Sequence, residues 1–177
     1  EALIMRVQLA VPSNTAVGAV TFNQLFTMHG TTMIFLGVMP MSVAFFNYAV
    51  PLMIGARDVA FPRLNAFSYW VYLFGGLFLW VAFMLNIGPE AGWFSYVPLS
   101  GPEYSAGKRS DVWAQMVTFT EVSTLAVAVS VIATVFKHRA PGMSLDRIPL
   151  FVWAMLVTSF VIIFAMPAVM LASSMLI

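Results

Sequence analysis

Residues 25–54 read LFTMHGTTMIFLGVMPMSVAFFNYAVPLMI and contain no Asp, Glu, Lys or Arg. A helix needs about 20 residues to cross the hydrocarbon of a bilayer, so this stretch is long enough to span it. Backbone amides cannot stay unpaired in lipid, and apolar runs this continuous do not alternate as the strands of a membrane barrel must. The stretch therefore predicts a transmembrane helix.

Three further apolar stretches repeat this pattern, over residues 67–87, 112–136 and 148–177, and Glu121 is the only formal charge in them. The chain of 177 residues is 61% hydrophobic and 8% charged, whereas soluble domains carry roughly a quarter charged residues. We predict an all-α fold, a polytopic transmembrane helical bundle of four full spans preceded by the end of another. The absence of cysteine from the sequence excludes disulfides and thiolate metal sites.

Residues 1–177 are expected to form a single bundle that is a piece of a longer membrane protein, because Glu1 is not an initiator Met and residue 177 falls inside an apolar stretch. The connections at residues 55–66 and 137–147 fall on one side of the membrane and hold five of the eight basic residues. The positive-inside rule places that side in the cytoplasm or its equivalent. The outer connection, residues 88–111, is rich in Gly, Pro and aromatic residues.

His29 is one of two histidines and lies inside the first uncharged stretch. A neutral imidazole is the commonest metal-binding side chain, but an intramembrane His can also be a hydrogen-bonded structural residue. Gly30 would allow a flat macrocycle to approach the backbone, and Thr27, Thr31 and Thr32 could orient the second ring nitrogen. The residues alone leave the ligand and structural interpretations open.

Asn47 follows His29 by 18 residues, which is five turns of an α-helix, so the two are expected to share one helix face about 27 Å apart. Pro40 lies between them and could kink the helix.

Asp58 lies in the first inner loop, and Asn65, Ser68 and Tyr72 follow at helical spacing, which places them on one face of the second span. A carboxylate followed by a polar stripe suits a water-filled proton path, because each water needs polar partners. Helix capping and interhelical hydrogen bonds are the alternative explanation.

Glu121 is the one carboxylate within a span, and Ser123 and Thr124 follow it. Carboxylates at such depth are costly and are functional candidates, although a protonated structural Glu is equally compatible with the sequence.

Four segments in order resemble subunit I of cytochrome c oxidase, in the haem-copper oxygen reductase superfamily. They are NQLFTMHGTTMIF (23–35), NYAVPLMIGARDVAFPRLNAFSYW (47–70), AGWFSYVPLSGPEYS (91–105) and RAPGMSLDRIPLFVW (139–153). The resemblance implies that His29 is an axial ligand of a low-spin haem, with haem a expected. It also implies that Arg6 bonds a substituent of that haem and that Trp93 lies near its propionates.

The same resemblance implies a proton pathway that begins at Asp58, with the asparagines Asn47 and Asn65 just inside it. Ser68, Ser123 and Thr124 correspond to hydroxyl positions farther along. The sequence departs from the family pattern at three positions: Ser130 and Ala66 stand where asparagines are common, and Glu121 stands where a small or apolar residue is expected. Because of these departures, the resemblance implies neither a pumping stoichiometry nor a detailed proton route, and Glu121 is included as a candidate pathway residue.

The implied reaction is reduction of O2 to water by electrons from cytochrome c, coupled to proton pumping. The implied partners are oxidase subunits of types II and III in the bacterial cytoplasmic or mitochondrial inner membrane, with no nucleic acid. The high-spin haem and copper belong to later helices, so the fragment alone is expected to be inactive. One alternative is a quinol oxidase, favoured by Glu1 and Gln24 and disfavoured by Thr21 in place of a histidine. Another is a haem-free transporter that uses Asp58 and Glu121.

Overall fold

The computed structural model describes residues 1–105 and 107–175, and within them the regular structure is helical, with no strand. Four helical segments of this described part are long and apolar enough to cross a membrane: Ala19–Met53, Pro62–Met84, Arg109–Lys137 and Leu150–Ser174. This confirms the prediction of an all-α transmembrane bundle. The observed spans begin within about six residues of the predicted ones, and residues 176 and 177 of the predicted fourth span lie outside the described residues.

A short helix, α1 (Ala2–Gln8), precedes the first span and contacts its outer half. The first span itself has three parts: α2 (Ala19–Thr31), a π-helix (Thr32–Val38) and α3 (Met39–Met53). A π-helix bonds each N–H to the carbonyl five residues back, so it turns less per residue than an α-helix.

The π-helix lies between His29 and Asn47, and the two side chains have different partners. The His29 imidazole is near Glu1, with Nδ1 3.9 Å from Oε2, whereas the Asn47 amide donates to Asn65 Oδ1 at 3.2 Å. The predicted shared face assumed 3.6 residues per turn throughout, whereas seven π-helical residues lie between His29 and Asn47 and change the helical register.

The remaining spans are α4 (Pro62–Met84), α5 (Arg109–Lys137) and α6 (Leu150–Ser174). The central helix is α5, which packs against both α4 and α6. Gly75 allows the close approach of α4, because a Cβ at that position would lie 2.6 Å from Phe119 Cβ. An inner apolar cluster joins α5 to α3 and α6, and its buried members include Val50, Val131 and Val152.

The two inner loops are fastened to each other and to α5. The Ala140 N–H donates to the Ile54 carbonyl at 2.9 Å, and the Ala60 N–H donates to Thr134 Oγ1 at 2.8 Å. Gly55 adopts φ +70°, and a Cβ there would lie 2.9 Å from Ala140 Cβ. The two basic loops therefore lie at the same end of the bundle, as the span count predicts.

Candidate functional site

His29 lies at the outer end of the first span, outside the buried face of α2. That face comprises Gln24, Leu25, Thr27, Met28 and Thr31. The His29 side chain is 40% exposed and makes no hydrogen bond to another described residue. Arg6 is exposed on α1, the helix that contacts α2. A half-exposed imidazole and a nearby helix that carries a guanidinium leave this side of α2 available to a ligand.

The outer connection is bound closely to α2 around His29. The Gly92 N–H donates to the buried Thr27 Oγ1 at 2.9 Å, and the Trp113 indole N–H donates to the Trp93 carbonyl at 2.9 Å. A Cβ on Gly30 would lie 2.8 Å from Trp93 Cβ. The proposed role of Gly30 as an approach for a macrocycle is therefore wrong, because Trp93 occupies the space that the missing side chain leaves.

The threonines around His29 do not orient its ring. Thr27 accepts from Gly92, and the Oγ1 atoms of Thr31 and Thr32 are buried with no hydrogen-bond partner in the described part of the chain. The prediction that a threonine holds the second ring nitrogen is therefore not met. The group that does approach the imidazole is the carboxylate of Glu1, the N-cap residue of α1.

A polar cluster fixes the start of α5 to the outer connection. The Arg109 guanidinium donates to the Gly88 carbonyl at 3.0 Å and lies 3.6 Å from the Glu90 carboxylate. With its amide oxygen turned toward this guanidinium, Gln24 accepts from Arg109. Gln24 is only 3% exposed, so its side chain is buried within this cluster. Sequence reasoning missed Arg109, although a cation just before a long apolar run was a usable signal.

A cavity of about 360 Å³ opens in the inner half of the bundle, between α3, α4 and α5. It brings together six of the polar residues singled out in the sequence: Asn47, Asn65, Ser68, Tyr72, Ser123 and Thr124. A water molecule in the liquid occupies about 30 Å³, so the cavity has room for several waters.

The hydroxyl groups at the cavity wall donate their protons to backbone carbonyls. Ser68 donates to Asn65 O at 2.7 Å, Ser123 to Ser68 O at 2.8 Å, and Thr124 to Thr120 O at 2.7 Å. Tyr72 donates to Phe35 O at 2.7 Å. Each hydroxyl has one proton, so toward water in the cavity these oxygens can act only as acceptors. Asn47 Oδ1, buried with no partner among the described atoms, adds another acceptor. Such a lining suits hydrogen-bond donors, as water and protonated water are.

Asp58 lies in the exposed inner loop before α4 rather than in the cavity. Its Oδ1 accepts from the Val59 N–H at 2.7 Å. Between this loop and the cavity, Thr134 donates to the Ser130 carbonyl at 2.6 Å, and the Ser130 hydroxyl is buried with no partner in the described residues. Ser130 thus keeps a buried polar group at a position where an asparagine was expected.

Glu121 is 3% exposed in the middle of α5. Neither carboxylate oxygen has a hydrogen-bond partner in residues 1–105 and 107–175. The residue lies one helical turn from Thr124 but does not line the cavity. A carboxylate buried without a partner is costly in an apolar bundle, so packing alone does not account for this residue.

Comparison of the sequence with known proteins places this chain in a family. The model of the family described as cytochrome C and quinol oxidase polypeptide I matches residues 1–177. The chain is 46% identical over 167 residues to cytochrome c oxidase subunit 1 of Bacillus subtilis, covering 94% of this chain and 26% of that protein. It is 47% identical to the same-named subunit of Bacillus sp. (strain PS3), with 94% and 27% covered.

A quinol oxidase subunit 1 from Bacillus subtilis is 38% identical over 176 residues, covering 99% of this chain and 27% of that protein. The chain therefore spans about a quarter of the length of these relatives. The match over all 177 residues, together with the four spans, shows an integral membrane protein that belongs to the cytochrome c and quinol oxidase polypeptide I family, the subunit I family of the haem-copper oxidases.

Proposed function

We propose that this chain is the N-terminal part of a subunit I that reduces O2 to water with electrons from cytochrome c and couples the reaction to proton pumping. The observation that carries the proposal is the His29 imidazole, which is 40% exposed at the outer end of an uncharged span. The acceptor-lined cavity at the inner end of the same span supports it. The reaction centre would be completed by the remaining three quarters of the subunit.

The residues around His29 fit a haem. The imidazole has no hydrogen bond to another described residue, and its Nδ1 side faces Glu1, which leaves Nε2 for a metal. Arg6 offers a guanidinium from α1 for an anionic or carbonyl substituent, and Trp93 packs beside the ligand helix at Gly30. When bound, a low-spin haem, here proposed as haem a, supplies one-electron transfer. A high-spin haem and copper would be held by later helices.

The haem assignment is tested by the reduced-minus-oxidised visible spectrum of full-length protein that carries His29→Ala. We expect selective loss of the low-spin haem band. His138→Ala is the matched control, because His138 is the other histidine and is exposed in the inner loop. A His29→Ala spectrum equal to that of the control would make His29 a structural residue.

We propose that protons enter at Asp58 and reach the cavity past the asparagines Asn47 and Asn65. Ser68, Ser123 and Thr124 then hold water through the acceptors that their oxygens present. A hydrogen bond links the Asp58 loop to the polar residues of α5: the Ala60 N–H, two residues after Asp58, donates to Thr134, whose hydroxyl donates to the Ser130 carbonyl. Glu121 is proposed as an auxiliary proton site, because its carboxylate is buried without a partner among the described residues.

Proton release during turnover of full-length enzyme carrying Asp58→Asn tests the proposed starting point. We expect pumping to be lost or strongly reduced. Asp146→Asn is the control, since Asp146 is an exposed acid of the second inner loop. Unchanged pumping in Asp58→Asn would refute the assignment of Asp58.

The electron donor is proposed to be cytochrome c rather than quinol. Thr21 replaces the histidine expected in a quinol site, and the buried Gln24 is committed to Arg109 rather than exposed to lipid. Oxidation of reduced cytochrome c by the purified complex is the expected result, whereas oxidation of quinol alone would favour the quinol enzyme.

The proposed setting is the bacterial cytoplasmic membrane, or the mitochondrial inner membrane, with subunits of types II and III. The haem-free transporter is not retained, because the whole chain matches the oxidase family.

A further inference from the structure

The junction between the π-helix and α3 has an irregular hydrogen-bond pattern, and Pro40 lies just after it. At the end of the π-helix, the Met39 N–H bonds to the Ile34 carbonyl, five residues back. The next carbonyl, that of Phe35, would take its donor from Met39 in an α-helix or from residue 40 in a π-helix. The Met39 N–H is already used, and Pro40 has no N–H. The Phe35 carbonyl therefore has no donor in its own helix.

The missing donor comes from another span. The Tyr72 hydroxyl of α4 donates to the Phe35 carbonyl at 2.7 Å. An unpaired backbone carbonyl costs several kcal/mol in lipid, where water cannot replace the partner. One turn along α4, Gly76 leaves room for the Leu36 side chain, since a Cβ there would lie 3.1 Å from Leu36 Cδ2. The hydroxyl thus stabilises the irregular segment across the interface between two spans.

The irregular segment determines where Asn47 points. Because the π-helix changes the register of the first span, α3 presents Asn47 toward Asn65 of α4, to which it donates at 3.2 Å. Tyr72, Pro40 and Asn47 all line the same cavity. We propose that Tyr72 is a positioning residue of this cavity: its hydroxyl replaces the donor that Pro40 removes and so holds Asn47 in the pathway. The expected effect on proton uptake rests on the proposed proton pathway, whereas the replacement of the missing donor by the Tyr72 hydroxyl does not.

A double-mutant cycle in the full-length complex tests the inference. The four proteins are the unmutated enzyme, Tyr72→Phe, Pro40→Ala and the double variant. Two quantities are measured: the midpoint of thermal unfolding and the rate of proton uptake from the inner side during turnover. Tyr48→Phe is the matched control, because Tyr48 lies on α3, is 71% exposed and does not line the cavity.

We expect Tyr72→Phe to lower the unfolding midpoint by a few degrees and to slow proton uptake several-fold, while the low-spin haem band stays unchanged. In the Pro40→Ala background the residue at position 40 has an N–H again, so Tyr72→Phe should have little further effect. Tyr48→Phe should match the unmutated enzyme.

Equal losses from Tyr72→Phe in both backgrounds would overturn the inference, because the hydroxyl would then not be replacing the proline's donor. If Tyr72→Phe lowered the unfolding midpoint only in the presence of Pro40 but left proton uptake unchanged, the positioning role would be overturned. The pathway itself is judged separately by Asp58→Asn, so its failure is distinguishable from that of the inference.

Discussion

Gly30→Ala is the substitution for which the structure gives the most direct prediction about the His29 region. The added Cβ would lie 2.8 Å from Trp93 Cβ, whereas carbon atoms in contact prefer about 3.5–4.0 Å. Trp93 must therefore retreat by about 1 Å. Trp93 cannot move alone, because its carbonyl accepts from Trp113 and the adjacent Gly92 N–H donates to Thr27.

The expected cost follows from two opposing terms. Overpacking a well-filled site costs about 1–3 kcal/mol, while replacing glycine by alanine within a helix gains roughly 0.5–1 kcal/mol. Gly37→Ala provides the comparison, because Gly37 lies in the same span and its added Cβ would meet only the Thr32 carbonyl at 3.5 Å. Gly37 lies in the π-helix and Gly30 in α2, but both substitutions remove a helical glycine, so most of the difference between the variants should be the overpacking cost of about 1–3 kcal/mol.

The assay is thermal unfolding of the full-length protein in detergent, together with the low-spin haem spectrum. We expect Gly30→Ala to unfold at a lower temperature than Gly37→Ala and to shift or broaden the haem band. Two variants of equal stability and identical spectra would refute the conclusion that Trp93 packs tightly on the ligand helix.

Three further outcomes are expected. Thr27→Val removes the acceptor for the Gly92 N–H at a fully buried position, so it should lower the free energy of unfolding by about 1–3 kcal/mol. Thr27→Ser should retain most of the stability, and equal effects of the two substitutions would contradict the assigned hydrogen bond. Gly75→Ala places a Cβ 2.6 Å from Phe119 Cβ and should lower the unfolding midpoint by overpacking worth about 1–3 kcal/mol, and an unchanged midpoint would be the contrary result. Glu121→Gln should slow proton uptake with haem content unchanged; if turnover and its pH dependence match the unmutated enzyme, Glu121 has a structural role.

The spans could be predicted from sequence because continuous hydrophobicity over 20 or more residues has few other uses in proteins. The polar stripe on α4 was also predictable, since Asn65, Ser68 and Tyr72 follow the α-helical period and line one cavity. The direction of Asn47 was not predictable, because it depends on a π-helix. Pro40 marks the irregular region, but its effect depends on a donor from Tyr72, 32 residues later in the chain.

The role of Gly30 was missed for a similar reason. A glycine beside a histidine indicates close approach of some group, but the sequence does not say which group approaches. Here the group is Trp93 from a loop more than 60 residues away. Trp113 was also missed, because its indole N–H finds its acceptor in that same loop and a tryptophan at the end of a span is common in any membrane protein.

The fastening of the two inner loops has a consequence for biosynthesis. Ala140, whose N–H binds the Ile54 carbonyl, is 86 residues later in the chain. At a synthesis rate of about 5–20 residues per second, it leaves the ribosome roughly 4–17 s after Ile54. During that interval Gly55 and Asp58 are already at the membrane surface without the partner that fixes their loop. The start of the proposed proton path therefore acquires its final shape only after the third span has been inserted, and a nascent chain halted before residue 140 should expose residues 55–61 to proteases.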